Sequence, residues 1–287
     1  MKSISLSLLA MFFCGCLSAQ TNPTVVNNGI RFCESTLPYD GGILVANFGT
    51  EELNPLNTEG KGYIKFLKDG KTETFIAADG NLSAPKGMLK NGDRLFICDV
   101  NKIVVYNTKN KSEAPTIIRL PEGNLFVNDL VADGKYMYAS VTNTDKIFRI
   151  DISGNSYTPE EWLSVPGPNG LYLNNSSMYI ASYPADGKTT DKNVIYKVND
   201  IKNPKLEKFI DVPGQYDGIA FSSDKKYIYA TNWVPAGLVK IDLKSKSVEQ
   251  IKINLDKPLI GPADISVVNG KIFIPDLPNS RVVVVKE

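Results

Sequence analysis

One short phrase recurs along this chain, and its recurrence limits the fold more than any other feature. Pro168-Asn169-Gly170-Leu171-Tyr172-Leu173 is followed by a polar turn (Asn174 to Ser177) and then by Met178-Tyr179-Ile180-Ala181-Ser182. The same phrase returns as Tyr216-Asp217-Gly218-Ile219-Ala220-Phe221, a turn, and Tyr227-Ile228-Tyr229-Ala230-Thr231. Weaker copies stand at Pro85-Lys86-Gly87, Val127-Asn128-Asp129 and Pro262-Ala263-Asp264. Counting Glu34 as the first opening position, the six openers are Glu34, Lys86, Asn128, Asn169, Asp217 and Ala263, at intervals of 52, 42, 41, 48 and 46 residues. Four short strands fit each interval. Units of this length and content read as blades, so the chain is expected to be an all-β, six-bladed propeller with four-stranded blades. The sixth unit has room for only three strands before Glu287, so its outer strand is expected from the N-terminal segment at Thr24 to Asn27. That overlap closes the ring and removes an open sheet edge. A pair of β-sandwiches is the competing arrangement, and the even spacing of six units argues against it.

The local chemistry agrees. Runs such as Ile43 to Ala46, Leu95 to Cys98, Ile103 to Tyr106, Val194 to Val198 and Val282 to Val285 are β-branched or aromatic and bounded by Gly, Asn, Asp and Pro. Asn91-Gly92, Asp133-Gly134 and Asn269-Gly270 supply hairpin turns. No sustained helical period exists; Thr158 to Leu163 comes closest, as a turn of helix at most. Ahead of this, residues 1–19 read as a secretory signal: Lys2 precedes an uncharged run from Ile4 to Gly15, which is too short to span a bilayer. Two readings of its end stand side by side. One is ordinary cleavage near Gln20; the other is a loose lipobox at Phe13-Cys14-Gly15-Cys16, with Cys16 carrying a lipid anchor. Residues 20–287 then form one domain with no transmembrane span, placed in the periplasm or secreted, or held at the outer membrane as a lipoprotein. Cys33 and Cys98 are read as buried thiols rather than a disulfide framework. A formal net charge of +1, lost largely with the leader, offers nothing to nucleic acid or to an anionic membrane surface.

In a propeller the residues that open the innermost strands share one mouth of the central channel. Glu34, Asn128, Asn169 and Asp217 would then bring two carboxylates and two amide carbonyls together from four blades. An all-oxygen set of this kind suits a hard divalent cation, calcium above all. The chain has no histidine, which disfavours metals that prefer imidazole.

These positions carry a family resemblance. Cys33-Glu34, Val127-Asn128-Asp129, Pro168-Asn169-Gly170 and Asp217-Gly218 resemble, in order, the metal-holding motifs of the regucalcin, gluconolactonase and luciferin-regenerating-enzyme group of six-bladed propellers. The resemblance spans essentially all of residues 20–287. It implies a calcium-dependent hydrolase acting on a small sugar-lactone-type substrate at the channel mouth. Glu34 and Asp217 would be anionic ligands, Asn169 an amide ligand, and Asn128 a fourth ligand or a substrate contact. Asp217 would also be the general base or nucleophile, and Asp129 would orient Asn128 or touch substrate. Three departures are plain. Lys86 stands in the ring, where an ammonium repels a cation or binds an anionic substrate group. Ser35-Thr36-Leu37 replaces the Gly-Pro and Trp that follow the family's Glu. Leu125-Phe126-Val127 stands where the family has a basic residue before the third-blade Asn.

Aromatic residues complete the expected mouth. Tyr183 and Trp233 fall in strand-end loops and are candidates for substrate contact, and the polar loop from Ala185 to Lys192 either covers the mouth or is a solvated hairpin. The alternative to a hydrolase is a non-catalytic propeller that uses the same ring to bind a ligand or a protein outside the cytoplasm, because the fold hosts both.

Overall fold

A computed structural model of the chain describes residues 23–154 and 156–287. The leader and Cys16 lie outside the described residues. The first blade is built from β2 (Cys33–Tyr39), β3 (Gly42–Asn47), β4 (Tyr63–Lys68) and β5 (Lys71–Ile76), after β1 (Thr24–Val26). Blade 2 is β6 (Pro85–Asn91), β7 (Arg94–Asp99), β8 (Lys102–Asn107) and β9 (Thr116–Arg119). Blade 3 is β10 (Val127–Ala132), β11 (Tyr136–Val141), β12 (Lys146–Asp151) and β13 (Pro159–Ser164). Blade 4 is β14 (Pro168–Asn174), β15 (Ser177–Ser182), β16 (Ile195–Val198) and β17 (Leu206–Lys208). Blade 5 is β18 (Tyr216–Phe221), β19 (Tyr227–Trp233), β20 (Ala236–Asp242) and β21 (Val248–Ile251). Blade 6 is β22 (Ser266–Val268), β23 (Lys271–Asp276) and β24 (Arg281–Lys286), completed by β1 on its outer edge. The architecture is the six-bladed propeller that the repeat predicts, closed where expected, with Thr24 opposite Val284 and Val26 opposite Val282. No helix among the described residues is long and apolar enough to cross a membrane.

One expectation is corrected. Thr158 to Leu163 is not a helical turn; Pro159–Ser164 is the outer strand β13. An edge strand tolerates Pro159 at its start, and Trp162 packs edge-on against Tyr138 of β11 at 4.8 Å.

Several hairpin turns use residues that accept left-handed backbone. Asn269 and Gly270 both have positive φ (52° and 68°) between β22 and β23, as a two-residue primed turn demands. The strands alternate, and each blade buries apolar side chains against its neighbours. Six apolar clusters fill the six interfaces between blades, the last joining Val26 and Val282 to Cys33, Ile43 and Val45. Each large side chain so buried contributes roughly 1.5–3 kcal/mol. Cys33 and Cys98 are both buried and unpaired. Around the channel the inner strands approach closely. A Cβ on Gly170 would strike the Asp217 carbonyl, and one on Gly218 would strike the Ile265 amide. Glycine at these two positions lets blades 4, 5 and 6 converge.

Candidate functional site

The openers of the inner strands do not sit in regular ladders. In five blades the pairing between first and second strands shifts at these residues: around Glu34 in blade 1, and between Pro85 and Met88, Val127 and Leu130, Pro168 and Leu171, and Tyr216 and Ile219. Such bulges bend the strand and re-aim a side chain. They also free backbone groups, which must find other partners. Hydroxyls at the ends of the second strands supply them. The Asp129 amide donates to Ser140 Oγ (3.0 Å), whose hydroxyl donates to the Asn169 carbonyl of the next blade (2.6 Å). The Gly218 amide donates to Thr231 Oγ1 (2.8 Å), whose hydroxyl donates to the Ala263 carbonyl (2.9 Å). Thr231 is the small residue that ends the second strand of the repeated phrase; in blade 4 the register puts Ala181 at this position, and Ser182, one residue on, donates to the Pro166 carbonyl (2.6 Å) instead.

The bulges deliver Glu34, Lys86, Asn128, Asn169 and Asp217 to one cavity of about 480 Å³ at the channel mouth. All five are buried. Ala263, the sixth opener, contributes no polar group. Tyr183 and Trp233 line the same cavity and meet edge-to-face at 5.8 Å. Asp129 does not join them. Its carboxylate accepts from the Leu130 amide (2.7 Å) and the Leu171 amide (2.7 Å), bracing blade 3 against blade 4. It borders a depression shared with Asp264, Thr36 and Ser266 instead.

Four oxygens in the cavity have no hydrogen-bond partner: Glu34 Oε2, Asn128 Oδ1, Asn169 Oδ1 and Asp217 Oδ1. Among the described residues the other buried side-chain atom in that condition is Arg149 Nε. Buried polar groups are rarely left unpaired, because desolvation then goes uncompensated. Four such acceptors from four blades line one cavity and match the oxygen donors that a hard cation takes, leaving water or substrate to fill the remaining positions of a six- to eight-oxygen shell. No three His, Cys, Asp or Glu side chains cluster as a metal site among the described residues, so the two carboxamides are needed to complete the donor set.

Burial also sets the acid–base character. It pushes the Asp217 carboxyl up to about 7, against the pull of Trp233 and Lys86. Burial, then the Asp217 carboxylate, pushes Glu34 well above the usual carboxylate range, while Lys86 draws it back. Lys86 is itself pulled down by burial, with Glu34 among the acids that oppose this. Its ammonium does not ion-pair with either carboxylate. It donates to the carbonyls of Ala84 (3.1 Å) and Pro55 (3.3 Å) and lies 5.6 Å and 5.5 Å from the ring centres of Phe48 and Phe126.

Two features are not legible in the sequence. Trp233 Nε1 donates to Asp217 Oδ2 at 2.9 Å, so the indole fixes the carboxylate and leaves Oδ1 free. Phe48 and Phe126 flank Lys86. Only the aromatic character of Trp233 and Phe126 hinted at this, since no spacing rule brings them to Asp217 or Lys86. Of the two readings given for the loop from Ala185 to Lys192, the structure has it border the mouth: Ala185 and Gly187 reach the cavity, and Gln215 Nε2 donates to the Gly187 carbonyl (3.0 Å).

No family model and no curated protein matches this sequence. Solved structures do resemble it. A streptogramin B lyase superposes with a TM-score of 0.63 at 12% identity, over 93% of this chain and 97% of that one. A catalytically inactive virginiamycin B lyase from Staphylococcus aureus, with quinupristin, gives 0.62 at 14% identity over 93% of this chain and 100% of that one. A Bacteroides thetaiotaomicron protein of unknown function gives 0.61 at 14% identity over 90% of this chain and 70% of that one. At these identities the likeness is one of fold.

Proposed function

We propose that this protein is a divalent-cation-dependent hydrolase of a small lactone or ester, with calcium the cation best suited to its donors. The observation that carries this reading is the set of four unpartnered buried oxygens on Glu34, Asn128, Asn169 and Asp217 around one cavity. The two carboxylates and two amide carbonyls would hold the cation. When bound, it supplies a Lewis acid that polarises a carbonyl oxygen and offsets negative charge developing there. The chain's own groups do the rest. Asp217 is the group assigned to take a proton from water, because its Oδ1 lies in the cavity free of any hydrogen bond. Trp233 holds Oδ2 of that carboxylate, so Oδ1 is presented in one orientation. The Lys86 ammonium, with two of its three protons on the Ala84 and Pro55 carbonyls, adds positive charge beside the cavity for a developing carboxylate product. The presence of streptogramin lyases among the solved structures of similar fold supports an enzymatic reading. The apolar leader supports an extracytoplasmic setting, periplasmic or secreted.

The test is a lactone and ester panel assayed with calcium and with chelator, beside calorimetric titration of calcium. Asp217→Asn is expected to lower hydrolysis by at least about 100-fold. Asn169→Ala is expected to weaken calcium binding by at least about tenfold, in the range that loss of a supporting group at a metal site produces. Calcium binding without hydrolysis of any panel member would make the ring a binding module. No calcium binding at all would end the proposal.

A further inference from the structure

The cavity has two halves of different chemistry. Its floor holds the polar ring. Its wall is made by Phe48, Leu53, Phe126, Tyr183, Trp233 and Leu277. The few polar groups on that wall are already occupied. Asn143 Oδ1 accepts from the Leu125 and Phe126 amides and its Nδ2 donates to the Gly123 carbonyl. Thr142 donates to the Pro168 carbonyl, the Gly187 carbonyl accepts from Gln215, and the Trp233 indole is spent on Asp217. The Tyr183 hydroxyl remains. A ligand with hydroxyls all around its body would give up bonds to water there and receive almost none in return, and each unmatched hydroxyl weakens binding.

The rim repeats the pattern. Leu53, Leu56, Leu125, Val212, Val234 and Ile260 are exposed large hydrophobic side chains. Each lies on a connection into a first strand or between second and third strands, and in this topology those connections gather at the end of the channel where the ring opens. The remaining exposed one among the described residues is Val25, on the closing strand. Apolar surface concentrated at one mouth marks a site that receives apolar matter.

We propose that the ligand of this site has an alkyl or aryl body seated against the apolar wall and one polar head, the lactone or ester, on the floor, and that it is not a polyhydroxylated sugar lactone. The head rests on the hydrolase reading; the body rests on the wall alone. The experiment keeps the two apart. Calcium-loaded protein is titrated with two ring-opened monoanions, 5-hydroxydecanoate and gluconate, and separately assayed for hydrolysis of δ-valerolactone, δ-decalactone and glucono-δ-lactone. 5-Hydroxydecanoate is expected to bind at least about tenfold more tightly than gluconate, with selectivity growing by up to about fourfold for each methylene fully buried. Phe126→Asn, checked for an unchanged melt, is expected to shrink that ratio by at least about threefold. Gluconate binding as tightly as 5-hydroxydecanoate, or glucono-δ-lactone turned over faster than δ-decalactone, overturns the proposal. Preferential binding of 5-hydroxydecanoate with no lactone turned over sustains the apolar ligand and removes the hydrolase. Hydrolysis of all three lactones at rates independent of the alkyl chain does the reverse.

Discussion

A buried carboxyl group beside the channel answers to its surroundings before it answers to any one neighbour. Burial raises Glu34, Asp129, Asp217 and Asp264, and for Asp129 and Asp217 the value reached is about 7. Such a group is protonated in both states at low pH and costs nothing there. As pH rises past 3.8, the ordinary aspartate value, the unfolded chain sheds its protons first, so the folded state loses ground until its own carboxyls ionise near 7. The chelated protein is therefore expected to melt at progressively lower temperature as pH rises from about 4 to about 7. In the proposed site a cation would bind the ionised forms of Glu34 and Asp217, so saturating calcium is expected to flatten that decline and raise the melt most at the upper end. Melting curves at matched ionic strength, with calcium and with chelator, check this; equal slopes in both would place the titrating acids away from the cation. Some of this was legible in sequence and some was not. Glu34 and Asp217 open repeats, so their convergence followed from phase. Asp129 adjoins Asn128, and only the bulge decides which of the two faces the mouth and which reaches down to the Leu171 amide.

The bulged hairpin is the element that makes the site, and its weak point is the hydroxyl that fills the gap in the ladder. Thr231 accepts from the Gly218 amide and donates to the Ala263 carbonyl, tying blade 5 to blade 6 directly beside Asp217. Thr231→Val keeps the shape and removes both bonds, leaving a buried amide and a buried carbonyl unmatched. The expected loss is about 1–3 kcal/mol of stability, read by denaturant unfolding, together with weaker calcium binding because Asp217 sits in the loosened bulge. A stability change within about 0.5 kcal/mol would mean water replaces the hydroxyl. Small residues closing the second strands were readable in the repeat, but their purpose was not, because a bulge has no sequence signature beyond the polar residue and glycine that occupy it. Strand β13 failed for a different reason. Pro159 and two glutamates resemble the first turn of a helix, and only the packing of Trp162 on Tyr138 shows that the segment is an edge strand.

Across the whole molecule the ring is closed twice at one seam, and the two closures do different work. On the outside, β1 pairs with β24 and buries Val26 between blades 6 and 1. On the inside, the Asp264 amide donates to the Glu34 carbonyl (2.9 Å), Ser35 donates to Asp264 Oδ2 (2.6 Å) and Thr36 shares a bond with Ser266 (2.9 Å). Cys33 and Phe32 add bonds to the Arg281 carbonyl (3.1 Å) and Ser280 Oγ (3.0 Å). The inner closure positions Glu34, so the site does not depend on the outer strand for its geometry. Val26→Asp, which puts a charge into the outer seam, is therefore expected to lower the melting temperature by roughly 5 °C or more while leaving the calcium dissociation constant within about twofold of wild type. Calorimetry reads both quantities on the same samples. A calcium affinity that falls by more than about tenfold alongside the melt would show instead that ring and site open together, with β1 holding the donor shell closed from the far side of the blade.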